Sequence, residues 1–254
     1  MKTIILDIET APTLAYIWGV WKQNVGQDQI LNHTHIMACA VKDLGSDDIR
    51  YYENRTDHDR EIVQAIIREL DEADFVIAHN GKKFDLPMIN ASAIRHKIKP
   101  PSPYRVIDTL LIAKREFRFI KNSLENLAIE LDVPSRKMSH GKFPGFKLWL
   151  ECLSQNDEAW DEMREYNCMD VQVLEEVYLR MRPWYSVHPN VTTGDESEEQ
   201  RCPKCGGADL MKRGFFHTNK GQYQRYMCKD CGAWSSSTYT ENTKEKRKSL
   251  LASR

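Results

Sequence analysis

The chain has 254 residues, 41% hydrophobic and 29% charged, with a formal net charge of −1 and seven cysteines. That length supports one α/β core of roughly 150 to 200 residues and a smaller second part. No window approaches the roughly 18 to 20 continuous apolar residues of a membrane span, and the N-terminus lacks the pattern of a secretory signal, so a soluble intracellular protein without a membrane partner is expected.

Short runs rich in β-branched, aromatic or small apolar residues predict strands over 2–8, 35–42, 48–53 and 74–78. Between the third and fourth, DHDREIVQAIIRELDEA repeats Ile62, Ala65, Ile66 and Leu70 near helical spacing behind an acidic start. Further helical patterns fall at 86–96, 109–117, 123–131 and 158–181, with a short strand at 104–107. Three strands in succession, then alternating helix and strand, predict an α/β fold with a mixed sheet flanked by helices. Residues 186–201, SVHPNVTTGDESEEQR, are poor in apolar side chains and end acidic, which predicts a linker. A second module starts at Cys202, and residues 240–254 read as a basic tail without packed structure.

Three short stretches carry candidate chemistry. In LDIETAP, Asp7 and Glu9 stand one residue apart in an apolar run, so they share one face of a strand while Leu6 and Ile8 enter the core. Two such carboxylates repel unless a cation neutralises them, and hard oxygen ligands suit Mg²⁺ or Mn²⁺. Taken alone, the pair is more simply a solvated strand end. In AHNGKKFDLPMI, Asp85 stands at the mouth of a helix after a polar turn, where an N-cap role competes equally with a catalytic one. In REYNCMDVQVLEEVY, Tyr166 and Asp170 are four apart and share one helical face.

Together, DIE at 7–9, NGKKFD at 80–85 and YNCMD at 166–170 resemble, in order and spacing, the three motifs of the DEDD 3′ to 5′ exonuclease superfamily, in its tyrosine-carrying subtype. The second motif is more similar to the proofreading domain of B-family DNA polymerases than to bacterial proofreading subunits, and VIDTLLIAK at 106–114 resembles a segment found between motifs two and three. The resemblance covers roughly residues 1–183 and implies a ribonuclease H-like domain, assigned to 1–185. It implies that two Mg²⁺ or Mn²⁺ ions clamp the scissile phosphate, with Asp7 bridging both, Glu9 and Asp170 completing the first and Asp85 serving the second. Tyr166 would orient the attacking water, since tyrosine is a poor general base at neutral pH. The expected substrate is the 3′ end of single-stranded DNA, with an exoribonuclease or a silent nucleic-acid-binding adaptor as rivals. Stand-alone enzymes of this type imply the cytoplasm of a bacterial or phage-infected cell.

Asn80 is expected to order its turn or touch substrate, His79 to be structural, and Asp108 to cap the helix at Thr109. Between the first two strands, Tyr16, Trp18 and Trp21 are expected to bury themselves as a small satellite core rather than to stack on bases. The loop Ser135 to Lys147 carries four Lys or Arg, which would suit a phosphate-contacting rim as well as a solvated loop.

CPKC at 202–205 and CKDC at 228–231, 22 residues apart, form two knuckles whose four thiolates, from Cys202, Cys205, Cys228 and Cys231, make a closed tetrahedral site for one structural Zn²⁺. Cys39, Cys152 and Cys168 read as ordinary buried thiols. The text from Leu210 to Trp234 resembles the zinc ribbon at the N-terminus of some insertion-sequence transposases, with GQYQRYMCKDC as its clearest match. Such ribbons generally bind DNA. Over 202–239, Arg225 and Tyr226 are candidate substrate contacts among several basic and aromatic residues, and the ribbon could also serve a protein partner.

Overall fold

Strand β1 (Thr3–Thr10) holds Ile4, Ile5, Leu6 and Ile8 in four buried positions, and a strand apolar on both sides belongs in the middle of a sheet. In the computed structural model, which describes residues 1–135 and 141–251, it does lie there. A small antiparallel pair, β2 (Leu14–Ala15) and β3 (Ile30–Asn32), interrupts the chain before β4 (Ile36–Asp43) and β5 (Ile49–Glu53). Helix α1 (Arg60–Asp71) leads to β6 (Phe75–Ala78), α2 (Asp85–Arg95) and β7 (Arg105–Asp108). The five strands are ordered β5-β4-β1-β6-β7, with β1 antiparallel to β4 and parallel to β6. The mixed sheet expected from the element order is therefore present.

Helices α3 (Thr109–Glu116), α4 (Leu124–Glu130), α5 (Lys147–Leu153) and the 25-residue α6 (Asp157–Met181) complete the domain. On one face of the sheet, Ile4, Leu6 and Ile8 pack with Ile62, Ile66 and Leu70 of α1 and Ile89 of α2. On the other, Met37 and Ala38 of β4 pack with Leu148 and Cys152 of α5 and Trp160 and Met163 of α6. Each fully buried Ile or Leu contributes about 1.5 to 3 kcal/mol, so these two clusters hold the sheet without help from a ligand. Asp59, just before α1, makes no side-chain bond to the helix it precedes. Its carboxylate instead accepts from Ile36 N at 3.0 Å, Ser92 Oγ at 2.7 Å and His96 Nε2 at 2.6 Å, tying β4, α1 and α2 together.

The expectation for the aromatic segment fails. Trp18 is 98% exposed, Trp21 86% and Tyr16 71%. The two-stranded stem beneath them is too small to fold over the rings, and both sheet faces are already covered by helices. Of the loop 135–147, residues 136–140 lie outside the described residues.

The chain separates into two compact units, one from Lys2 to Tyr178 and one from Leu179 onward together with Met1. In the second, β8 (Leu210–Thr218), β9 (Gly221–Cys228) and β10 (Trp234–Ser236) form an antiparallel sheet ordered β10-β9-β8. Residues read as linker belong to this unit and bond to it, as Val191 N does to Pro203 O at 2.8 Å. Part of the tail is a short helix, α7 (Lys244–Ser249), where an absence of structure was expected; Thr243 caps it by accepting from Lys246 N at 3.1 Å.

Candidate active site

Asp7 and Glu9 face away from the α1 and α2 side, and their cross-strand partners on β4 are Ala40 and Ala38. Small neighbours leave room beside the two carboxylates. Helix α6 runs over the same side and brings in the third acid. Ligand oxygens of Asp7, Glu9 and Asp170 all lie within 4.8 Å of one another, although Asp170 is more than 160 residues beyond the other two in the chain.

Asp85 joins by another route. Strand β1 pairs with β6 only through Thr3, Ile4 and Ile5, so the N–H of Ile8 lies beyond the end of that ladder. The carboxylate of Asp85, first residue of α2, accepts from it at 3.2 Å. Asp85 is thus no N-cap; its side chain repairs the orphaned strand edge and lines the same cleft as Asp7 and Glu9. Burial pushes its carboxyl up to about 6, against the lowering effect of backbone N–H groups, and Asp108 raises it further. A cation at this spot would reverse that cost.

The turn before Asp85 is shaped by close contacts. A Cβ on Gly81 would meet the Ala78 Cβ at 2.4 Å, so only glycine fits. Asn80 takes a left-handed φ of 65°. Asp108 caps α3 through Leu110 N and Leu111 N, as expected, and also accepts from Asn80 N at 3.1 Å and Lys82 N at 3.2 Å, fixing the turn. His79 Nδ1 lies 2.9 Å from Thr109 Oγ1, a structural bond.

Tyr166, one turn before Asp170, is 7% exposed and packs edge-on against Trp149. Asp7, Glu9, Asn80, Asp85, Tyr166 and Asp170 all line one cleft of about 730 Å³, whose rim also carries Lys114 and Lys121. Sequence reasoning missed Asn167. Fully buried, it donates from Nδ2 to Asp7 Oδ2 at 2.7 Å and so orients the carboxylate. No local pattern marks it, because its partner Asp7 lies 160 residues away in the chain.

The cysteines form the second cluster. Sγ atoms of Cys202 and Cys231, and of Cys205 and Cys228, are 3.7 Å apart. Four sulfurs at about 2.3 Å from a tetrahedral centre stand about 3.8 Å from one another, so the spacing is compatible with zinc. Gly206 and Gly232, each following a knuckle, have φ of 77° and 75° and donate to the carbonyls of Cys202 and Cys228. The ribbon's core is little more than these thiols with Leu210 and Ala233. Among the described residues no disulfide is formed; Cys39 and Cys152 are buried and Cys168 half-buried, with burial pushing the Cys152 thiol up to about 12.

Tyr226 is buried within the ribbon, and the Arg225 guanidinium lies over the Trp234 ring while its Nε donates to Arg213 O. The exposed rings are Phe215, Phe216, Trp234 and Tyr239.

The fold is similar to that of a family B DNA polymerase from the hyperthermophilic archaeon Pyrobaculum calidifontis, with a TM-score of 0.51 and 14% identity over 72% of this chain and 26% of the polymerase. No curated protein matches the sequence. Among the described residues no helix is long and apolar enough to cross a membrane. A family model described as RNase_H superfamily matches residues 4–182, well over half of the chain, and this protein therefore belongs to the RNase H superfamily, which supports nuclease activity for it.

Proposed function

We propose that this protein is a metal-dependent exonuclease that shortens single-stranded DNA from its 3′ end. The observation that carries the reading is the convergence of Asp7, Glu9 and Asp170 within 4.8 Å, with Asp85 and Tyr166 lining the same cleft. The donor set fits Mg²⁺ or Mn²⁺, being all carboxylate oxygen, partly buried and costly to leave uncompensated. Two such ions held by Asp7, Glu9, Asp85 and Asp170 would neutralise the scissile phosphate and supply an activated water. Asn167 keeps the Asp7 carboxylate in one orientation, and Tyr166, which lines the same cleft, would orient the attacking water. The products are a nucleoside 5′-monophosphate and a strand with a new 3′ hydroxyl. Lys114 and Lys121 on the rim draw the next phosphates towards the acidic centre.

The C-terminal ribbon, in this reading, holds one structural Zn²⁺ through Cys202, Cys205, Cys228 and Cys231 and adds affinity for nucleic acid. Its exposed Phe215 and Phe216 offer stacking surfaces, and Lys212, Arg213 and Lys220 offer phosphate contacts.

Incubating 5′-labelled DNA and RNA oligonucleotides with Mg²⁺ or Mn²⁺ tests the proposal. A DNA ladder shortening from the 3′ end is expected. An RNA-only ladder would make the protein an exoribonuclease, and tight binding without product from either strand would make it an adaptor.

A further inference from the structure

The segment between β1 and β3 carries Trp18, Val20 and Trp21 at 98%, 84% and 86% exposure, an apolar display that folding alone disfavours. This is no loose loop. Leu14 and Ala15 pair with Asn32 and Ile30. Tyr16 N donates to Gln29 O at 2.9 Å and Gln29 Nε2 returns a bond to Tyr16 O at 2.9 Å. Gly26 and Gln29 bond each other reciprocally, and Gln23 Nε2 donates to Trp21 O at 2.9 Å. The stem is braced while the rings at its tip stay out.

We infer that this hairpin is a stacking platform for unpaired bases of the strand whose 3′ end occupies the acidic cleft, with Trp18 and Trp21 as the contact rings. The inference rests on the exonuclease reading. Three observations favour bases over other occupants. The hairpin is continuous with the candidate site: β1 carries Asp7 and Glu9, its register shifts immediately after Glu9, and β2 begins at Leu14. Leu14, the foot of the stem, is five residues beyond Glu9 and so at most about 18 Å from it, about five nucleotides at a stacked rise of about 3.4 Å, and the rings follow four and seven residues further along. The register shift turns the strand next to the site, the usual use of a bulge there. Finally, from Tyr16 to Gln27 the only charged residue is the cation Lys22, so the tip adds no repulsion to a polyanion that must already approach a cluster of acids. Rings held on a braced stem lose little entropy when a base stacks on them.

The hairpin therefore contributes to strands long enough to reach it and little to shorter ones. The test uses the full chain with Trp18→Ala/Trp21→Ala and Trp18→Phe/Trp21→Phe double variants. Affinity for fluorescein-labelled oligothymidylates of about 3 and about 15 nucleotides is measured by anisotropy in an Asp7→Asn background, which blocks cutting. The alanine pair should weaken the longer strand at least about tenfold and the shorter less than about twofold, with phenylalanine restoring most of the loss. In the cutting-competent protein, KM for the longer strand should rise by a similar factor while kcat moves less than about threefold. An abasic strand of about 15 nucleotides should already bind the tryptophan-bearing protein as weakly as the alanine pair binds the normal one. Equal affinity of both proteins for the longer strand overturns the inference, as does an equal loss on the abasic strand. Conversion of a dimer to a monomer by the alanine pair, with nucleic-acid affinity unmoved, overturns it in favour of a second copy of this chain. If the unmodified chain cuts neither DNA nor RNA, the exonuclease reading falls; if it cuts and the alanine pair matches it at both lengths, only the hairpin's role falls.

Discussion

The molecule contains two clusters of side chains that could hold a metal ion, built on opposite principles. The acidic one draws on β1, α2 and α6, elements distant in the chain, and sits towards the C-terminal end of the central strand of a sheet already held by two apolar clusters. The sulfur one draws on two tight knuckles in a unit whose core is little more than the sulfurs. Oxygen and sulfur also divide the metals: hard carboxylates with room for water and substrate suit reversible Mg²⁺ or Mn²⁺, whereas four thiolates close around zinc. The scaffold makes the first site, and the second site makes its scaffold.

That contrast can be broken most decisively at Asp7. The Asp7→Asn variant should lose turnover to background in the oligonucleotide assay yet melt no lower in metal-free buffer, because it removes one repelling charge from a domain that does not depend on the metal for folding. A drop in melting temperature of more than a few degrees would mean that the acid cluster is structural.

Cys228→Ser should do the reverse. Zinc content, read by mass spectrometry, should fall from about one per chain to near zero, limited proteolysis should cut within 202–239, and cleavage of short oligonucleotides should persist. Unaltered protease resistance would show that the ribbon folds on its own.

The smallest effect concerns the core alone. Burial would raise the Asp59 carboxyl, but bonds from Ile36 N, His96 and Ser92 outweigh it and hold it below its ordinary 3.8. A depressed carboxylate stabilises the fold above its unfolded value, and that contribution is lost as pH falls through the lower folded value. Asp59→Asn should therefore cost about 1 to 3 kcal/mol near neutrality and narrow its gap to the unmodified protein below about pH 3.8, as read by chemical unfolding at several pH values. A gap independent of pH would remove the electrostatic part of the account.

Much of this was legible in residue order. Alternation around Asp7 and Glu9, the four-residue step from Tyr166 to Asp170 and the two CxxC knuckles are local patterns, and local patterns survive in a sequence. Asn167 was hidden because a polar residue beside Tyr166 has no periodic signature; only the crossing of α6 over β1 gives it Asp7 as a partner. Asp85 read equally well as a helix cap because the alternative depends on β6 ending early enough to leave Ile8 N without a strand partner. The Trp18 and Trp21 pair was misread because burial is decided by what else is available to cover a ring, and that is a property of the assembled fold.

By itself, the sequence determined which side chains could bind cations and that the sulfur ligands would act as a local set, since two-residue spacings force their geometry. Tertiary structure alone decided that β1 would be central, that α6 would bring Asp170 across some 160 residues to Asp7, and that two tryptophans would be left outside. Those outcomes depend on strand order and on which surfaces the helices cover, and neither is written in any short stretch of chain.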